Sequence, residues 1–279
     1  MGNRFLILLP LGLFCLSLVA LERNTNATAS NGFASIIESK IYYHQQGTGG
    51  TPVIFVSGLG EDYTTWRAVQ DKVANFALTL TYDRAGLGRS EYHEEKKDLS
   101  SMTKELHDLV VSVKVHTPFI LVGHSLGCQI AKEYAVLYPQ EVQALVLLDP
   151  GFNELKLKRI VPDAVWKARE EKLKKYLPPM NPAQQLEMSN LNLICEQADQ
   201  LVTPLKIPVV LFTATKISPG FPGSTNEVQV KTATHELWLR SLPNAVHKTV
   251  AESRHYIQND FPEMVVDEIS ILSKAGGVK

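Results

Sequence analysis

Apolar runs rich in β-branched residues recur along this chain, and their spacing constrains the fold more than any other feature of the sequence. Several runs are continuous rather than alternating, which is typical of strands buried on both faces of a parallel sheet. Stretches with helical spacing separate them, and this alternation predicts an α/β protein with a doubly wound, mostly parallel sheet. The runs begin at Lys40, Val53, Ala77, Phe119, Ala144, Ile207 and Ala245, and the helical stretches cover 63–76, 101–116, 126–138 and 261–274.

One interval, residues 150–206, contains no strand-like run. It contains instead the charged stretch PDAVWKAREEKLKKYL, which has helical spacing and is bounded by prolines at both ends. We interpret residues 151–206 as a helical cap insertion over one end of the sheet, and its charges as a solvated helix face. The length of 279 residues suits one α/β domain, predicted over residues 33–279 with the insertion included.

The N-terminus differs in character from the rest of the chain. After Arg4, the residues from Phe5 to Leu21 are almost entirely apolar, and a polar stretch then leads to a small residue, Ala29. This pattern predicts that residues 1–29 are an export signal cleaved after Ala29. A retained single-span anchor is the alternative, because the run is near the ~17-residue lower limit for spanning a bilayer. Either interpretation places the remaining chain outside the cytosol, as a secreted or periplasmic protein or one associated with a membrane through this segment.

Composition excludes several classes of partner. The net charge is −1 at pH 7 and the charged fraction is 20%, so nothing indicates nucleic-acid binding, and we predict a small-molecule partner. No His, Cys and Asp cluster has metal-ligand spacing, and GLGRS does not form G-x-G-x-x-G, so neither a metal nor a cofactor is predicted. Cys128 and Cys195 are predicted to be free thiols.

The segment FILVGHSLGCQIAKEYAVLYP places Ser125 between two glycines. G-x-S-x-G is a short pattern, but an apolar strand before it and a helix after it are the setting of a nucleophile elbow. In that setting the hydroxyl projects above the sheet, and the free N–H groups of the helix N-terminus point to where an oxyanion would form. We therefore predict that Ser125 is a nucleophile rather than only a turn residue.

A serine hydroxyl needs a general base, usually a histidine oriented by a carboxylate. His255 is the predicted base, because it follows the last strand-like run in a loop before the terminal helix. His124 is interpreted as structural, because neighbouring side chains on so sharp a turn diverge. The other histidines considered are interpreted as surface, helix-face or strand residues, namely His93, His107, His116 and His247.

The acid is expected at the end of a strand. No carboxylate follows IPVVLFT until Glu227, whereas Asp149 ends ALVLLD at the same sheet edge as the serine and preserves the chain order Ser, Asp, His. We predict Asp149 as the orienting acid, although an Asp before Pro at a strand end also commonly caps a turn. Asp260 and Glu236 remain alternatives.

Four segments occur in one order: VIFVSGLGEDYTTW, YDRAGLGRS, the serine segment and SRHYIQNDFPEMVVDEI. From Lys40 to the C-terminus, the chain resembles the α/β-hydrolase fold family in its oxyanion loop, its D-x-x-G-x-G-x-S turn, its nucleophile elbow and its histidine loop. The resemblance implies that the backbone N–H groups of Leu59 and Leu126 form the oxyanion hole. The chain departs from the family pattern at Ser57, where histidine is common, and at Arg254, where glycine is usual.

The residue chemistry and the resemblance together predict a serine hydrolase. A helical insertion of this length would roof a mostly apolar pocket, which favours a small or medium carboxylic ester cleaved through an acyl-enzyme. Serine at the elbow argues against the dehalogenase and epoxide hydrolase relatives, which use aspartate there. The alternatives are a ligand-binding member of the fold without turnover, and a cofactor-free C–C hydrolase or perhydrolase that uses the same triad.

Overall fold

The computed structural model describes residues 29–36, 39–92, 97–176 and 179–275. The predicted export or anchor segment, 1–29, therefore lies outside the described residues except for Ala29, and so does His93. Within the described ranges, no helix combines the length and the hydropathy needed to cross a membrane.

The described strands form one sheet with the order β1-β2-β4-β3-β5-β6-β7-β8. Pairing is antiparallel from β1 to β2 and from β2 to β4, and parallel between all the other neighbours. The prediction of a doubly wound, mostly parallel sheet is confirmed. The strands are β1 (Ser30–Ile36), β2 (Ser39–Gln46), β3 (Val53–Val56), β4 (Thr79–Tyr82), β5 (Phe119–His124), β6 (Val142–Leu148), β7 (Val209–Ala214) and β8 (Ala245–Val250).

Helices cover both faces of the sheet, because its central strands are apolar on both sides. Every residue of β3 and β5 is buried, and successive residues of β3 point to opposite faces. Val53 and Phe55 pack with α1 and α9, whereas Ile54 and Val56 pack with α2 and α3. The helices are α1 (Arg67–Val73), α2 (Leu99–Ser112), α3 (Leu126–Leu137), α4 (Glu154–Ile160), α5 (Asp163–Tyr176), α6 (Pro182–Gln200), α7 (Ser224–Arg240), α8 (Ile257–Asp260) and α9 (Pro262–Ala275).

The described part of the interval between β6 and β7 folds into α4, α5 and α6. The N-terminus of α6 has a capping box, in which the side chains of Asn181 and Gln184 each accept from the other residue's backbone N–H. In the described chain Cys128 and Cys195 are free, as predicted, and both are buried.

The sequence analysis does not predict three elements: β1, α7 and the short helix α8, whose residues it assigns to a loop. Strand β1 buries only two of its residues, Ala34 and Ile36, so its apolar signal is short. Helix α7 buries mainly polar side chains, including Lys231, Thr234 and His235, so it lacks the apolar stripe by which a helix is recognised in sequence. This second omission matters, because α7 contributes to the candidate site.

Candidate active site

Ser125 lies between the end of β5 and the start of α3, with φ 50° and ψ −118°, and it is half-buried. The backbone passes so close to its neighbours here that glycine is required on both sides. A Cβ on Gly127 would lie 2.0 Å from the carbonyl oxygen of Val56, and one on Gly123 would lie 2.6 Å from the carbonyl oxygen of Gly127. A non-glycine residue at positive φ is strained, and such strain is concentrated at functional sites. The elbow geometry predicted from the sequence is therefore present.

Asp149 follows β6, the strand adjacent to β5, and its carboxylate is fully buried. Its Oδ1 accepts the backbone N–H of Ala214 at 2.9 Å, and its Oδ2 lies 2.7 Å from Nδ1 of His255. Since Nδ1 is directed at the carboxylate, Nε2 is the nitrogen of His255 that remains for proton exchange. Neither of the other acids considered contacts His255 in the described chain: Asp260 accepts the backbone N–H of Arg254, and Glu236 is exposed on α7.

The structure thus brings His255 and Asp149 together, but no hydrogen bond joins Ser125 to His255 among the described residues. The His255 side chain is 43% exposed, so its imidazole is partly open to solvent. Catalytic hydrogen bonds are often long in ligand-free structures and shorten when substrate binds.

Lys231 is a further charged group at the site, and the sequence analysis did not find it. Its Nζ lies 3.0 Å from Oδ2 of Asp149, the same oxygen that contacts His255, and the lysine side chain is only 8% exposed. Burial alone would raise the pKa of Asp149, but the hydrogen bond and charge of His255 and the charge of Lys231 lower that pKa to about 2. Asp149 is consequently a carboxylate at neutral pH.

A buried histidine, His235, supports the backbone beside Asp149. His235 Nε2 lies 2.9 Å from the carbonyl oxygen of Pro150, and its Nδ1 lies 2.7 Å from the Thr213 hydroxyl. Burial lowers the pKa of His235 to about 4, despite the opposing effect of Asp149. A neutral ring satisfies both contacts, because Nε2 can donate to the carbonyl while Nδ1 accepts from the hydroxyl.

The loop after β3 contains the predicted oxyanion donor Leu59. Its neighbours' N–H groups are already used, since Gly58 donates to Glu61 Oε2 and Gly60 donates to Glu187 Oε2, both at 2.8 Å. No described residue accepts from the N–H groups of Leu59 or Leu126. Their role as oxyanion donors stays a prediction.

Glu187 extends from α6 and ties the interval between β6 and β7 to this loop. The Nε and one terminal nitrogen of Arg84 donate to its two carboxylate oxygens at 2.7 and 2.9 Å. The same guanidinium donates to the carbonyl oxygens of Ser57 and Gly58 at 2.6 Å. Arg84 and Glu187 are both almost fully buried, so the pair is a rigid connection.

His124 and Glu61 form another buried pair close to the site. His124 Nδ1 lies 3.2 Å from Glu61 Oε2, and its Nε2 lies 3.1 Å from the backbone carbonyl oxygen of His255. Partial burial of the Tyr256 ring and the nearby charge of Glu61 raise the pKa of Tyr256. The sequence analysis interprets His124 as structural. The structure adds that its side chain contacts the backbone of the predicted base, His255.

A cavity of about 700 Å³ opens beside His255. Its wall includes Leu173 from α5, Phe221, Lys231 from α7 and Tyr256. The size is within the range of small-molecule sites. Among the described residues, no group of three or more His, Cys, Asp or Glu side chains is placed to hold a metal ion.

Known proteins resemble this chain in sequence and in structure. Residues 51–193 match the profile of a family described as alpha/beta hydrolase fold. The uncharacterized protein YqjL of Bacillus subtilis is 28% identical over 130 residues, which are 47% of this chain and 51% of that protein. The chain thus spans about half the length of this relative.

Solved structures match nearly the whole chain. A thermophilic esterase from Thermogutta terrifontis has a TM-score of 0.63 at 16% identity and covers 89% of this chain and 99% of its own. The haloalkane dehalogenase DatA from Agrobacterium tumefaciens has a TM-score of 0.62 at 15% identity, covering 88% and 97%. At such identities the likeness establishes the shared fold and leaves the reaction to be argued from the site.

Proposed function

The chain belongs to the α/β hydrolase fold family, and from that premise we propose that it is a serine hydrolase acting on a small or medium carboxylic ester. The observation that carries the proposal is the 2.7 Å contact between His255 Nδ1 and the buried Asp149 carboxylate, at the sheet edge where Ser125 occupies a strained elbow. A base oriented by an acid near a serine on such a turn is the arrangement that serine hydrolases use.

In the proposed reaction, the Ser125 oxygen attacks the ester carbonyl while His255 Nε2 takes its proton. Asp149 stabilises the resulting imidazolium, and the N–H groups of Leu59 and Leu126 donate to the oxyanion. Collapse of the tetrahedral intermediate expels the alcohol, which receives the proton from His255 and leaves an acyl-enzyme. Water then attacks the acyl group with His255 again serving as base, the bond to the Ser125 oxygen breaks, the carboxylic acid leaves and Ser125 regains its proton from His255. No metal or cofactor takes part in this scheme.

We further propose that residues 1–29 direct the chain out of the cytosol, either as a cleaved signal or as a membrane anchor. The support is the apolar segment from Phe5 to Leu21. Protein sequencing of the N-terminus after expression in the native host tests this proposal, because a chain beginning at Ser30 would show cleavage after Ala29. Recovery of the uncleaved chain in the cytosolic fraction would contradict it.

A second candidate function is ligand binding without turnover. The observation that favours it is the absence of a hydrogen bond between Ser125 and His255 among the described residues. A member of the fold that only binds would keep the cavity beside His255 and would show no reactive serine.

Labelling with a fluorophosphonate separates the two functions. We expect the full-length chain to be modified at Ser125, as located by peptide mapping, and we expect Ser125→Ala and His255→Ala to abolish the modification. Ser218→Ala is the matched control, because Ser218 lines the cavity without belonging to the proposed triad. If the folded wild-type chain stays unmodified, the hydrolase proposal is rejected and ligand binding without turnover remains. If labelling occurs, unlabelled wild-type protein would then be assayed on short-chain esters.

A further inference from the structure

His124 has a hydrogen-bond acceptor at each of its ring nitrogens. Nδ1 faces Glu61 Oε2 at 3.2 Å, and Nε2 faces the backbone carbonyl oxygen of His255 at 3.1 Å. A carbonyl oxygen can only accept, so Nε2 must carry a proton. A neutral imidazole has one N–H, which would leave Nδ1 bare and directed at a carboxylate oxygen. If Glu61 is ionised, both contacts are hydrogen bonds only when both ring nitrogens of His124 are protonated.

The surroundings of Glu61 are those of an ionised carboxylate. Its Oε2 accepts the backbone N–H of Gly58 at 2.8 Å and lies 3.2 Å from Nδ1 of His124. Burial alone would raise the pKa of Glu61, but the charge and hydrogen bond of His124, with the Gly58 N–H, lower that pKa to about 2. Donors placed around a carboxyl group in this way stabilise its charged form.

The groups that face His124 come from three parts of the chain. Glu61 belongs to the loop after β3, and the ring of Trp66, at the end of the Tyr63–Trp66 turn, meets the imidazole edge-on at 6.5 Å between centroids. The rings of His255 and Tyr256, before α8, lie 4.7 and 4.9 Å away. Among these groups Glu61 is the only carboxylate. Its negative charge offsets the positive charge of a protonated His124, which would otherwise oppose protonation of His255.

We propose that His124 is a buried imidazolium paired with Glu61, and that this pair is a positioning element for His255 and for the oxyanion loop. A continuous chain of contacts runs from the Gly58 N–H through Glu61 and His124 to the His255 carbonyl. It joins the loop of the predicted oxyanion donor, the elbow and the loop of the base. The positioning role rests on the proposed function, whereas the protonation state of His124 does not.

Nuclear magnetic resonance of the full-length chain with 15N-labelled histidine tests the protonation state. At pH 7 we expect both ring nitrogens of His124 to carry a proton, with the signals assigned by their loss in His124→Gln. His235 is the internal reference, because it is also fully buried and is neutral above its pKa of about 4. A bare ring nitrogen on His124, as in a neutral pair with protonated Glu61, would overturn the imidazolium.

The rate of fluorophosphonate labelling at Ser125 tests the positioning role. Glu61→Gln keeps the shape of the side chain and removes its charge, so we expect single protonation of His124 and labelling slowed about 10-fold by misplacement of His255 and the oxyanion loop. Glu61→Asp, which keeps a carboxylate, should recover part of the rate. Glu91→Gln is the matched control, because Glu91 forms an exposed pair with Lys40.

Labelling of Glu61→Gln at the wild-type rate would overturn the positioning role. If Glu61→Gln does not fold, His124→Gln replaces it, because the glutamine amide can donate to only one of the two partners, Glu61 and the His255 carbonyl. Labelling of His124→Gln at the wild-type rate would likewise overturn the positioning role. A wild-type chain that is not labelled overturns the proposed function together with the positioning role, while the ring signals of His124 decide its protonation separately.

Discussion

Asp149, after β6, supplies the carboxylate that would otherwise be expected after the neighbouring strand β7. The chain after β7 has no carboxylate until Glu227, and the residue at the end of β7, Ala214, instead offers its backbone N–H to Asp149. The acid therefore comes from β6, and β7 helps to hold it. Asp149 itself adopts φ 48°, a strained conformation that directs its side chain toward His255.

We expect Asp149→Asn to slow fluorophosphonate labelling by about 10³–10⁴-fold, because an amide cannot stabilise the imidazolium and its NH₂ group would select the wrong tautomer of His255. The labelling rate constant of the folded variant measures this. Asp260→Asn is the control, since Asp260 bonds to Arg254 rather than to His255, and its rate should match the wild type. Equal losses in both variants would mean that Asp149 has no special role.

Removal of the Lys231 charge should change the pH dependence of labelling. In wild type the Lys231 ammonium lies 3.0 Å from Oδ2 of Asp149. In Lys231→Met that positive charge is gone, so the Asp149 carboxylate stabilises the imidazolium form of His255 more strongly. We expect the acidic limb of the rate profile to move up by about one pH unit. Lys216→Met, on the same cavity wall, is the control, because Lys216 pairs with Glu252 at 3.8 Å. A coincident profile for wild type and Lys231→Met would reject this effect.

At the scale of elements, α6 is attached to the sheet by a buried ion pair. Glu187 accepts from Arg84 and from the backbone N–H of Gly60, while Arg84 reaches two carbonyl oxygens of the same loop. All these groups were withdrawn from water during folding, so each depends on its partner for compensation. The position of α6 and the shape of the oxyanion loop are therefore coupled.

Glu187→Gln should lower the free energy of unfolding by about 3–5 kcal/mol, because it leaves the buried Arg84 guanidinium without a counter-ion. Urea unfolding followed by circular dichroism measures the change. Glu91→Gln, which breaks an exposed pair with Lys40, should change stability by less than about 1 kcal/mol. Similar losses of unfolding free energy for the two variants would show that the buried Arg84–Glu187 pair contributes no more to stability than the exposed pair.

The packing of α3 against β3 depends on Gly127. In Gly127→Ala the new methyl group would lie 2.0 Å from the carbonyl oxygen of Val56, so the backbone must shift. We expect a loss of about 3 kcal/mol in the free energy of unfolding, and slower labelling of Ser125. Gly220→Ala is the control: Gly220 has φ 71° but nothing within 4 Å of an added Cβ, so only conformational strain of about 1 kcal/mol applies. A loss in Gly127→Ala no larger than this would contradict the packing argument.

At the scale of the whole molecule, the sequence predicts the sheet because burial on both faces leaves continuous apolar runs, as in β5 and β7. It also predicts the positions of Ser125, Asp149 and His255, because each lies at a strand end or in the loop before the terminal helix. It does not predict α7, whose buried face is polar, and so it does not find Lys231. Nor does it reveal that His124 contacts His255, since that contact joins residues 131 positions apart.

Buried titratable groups should make the stability of the whole chain depend on pH in two ranges. The folded pKa of His235, about 4, lies below its ordinary value of 6.5, so the unfolded state binds more protons and stability falls as pH drops from 6.5 toward 4. We expect a loss of about 3 kcal/mol there. The lowered pKa values of Asp149 and Glu61 add a second loss as pH falls from their ordinary values of 3.8 and 4.5 toward about 2.

Urea unfolding at a series of pH values measures both losses. His235→Gln should abolish the first, and Glu61→Gln should reduce the second. A wild-type stability that is flat between pH 6.5 and pH 4 would contradict the buried neutral state of His235.

The attachment of α6 also has a consequence for how substrate reaches the site and how product leaves. Lifting α6 from the sheet would strand Arg84 without Glu187, at a cost of about 3–5 kcal/mol, so fewer than about one molecule in a hundred would be open in this way. The cavity beside His255 is bordered by α5 and α7 instead. We therefore expect substrate and product to pass beside α5 and α7, while α6 stays attached to the sheet throughout turnover.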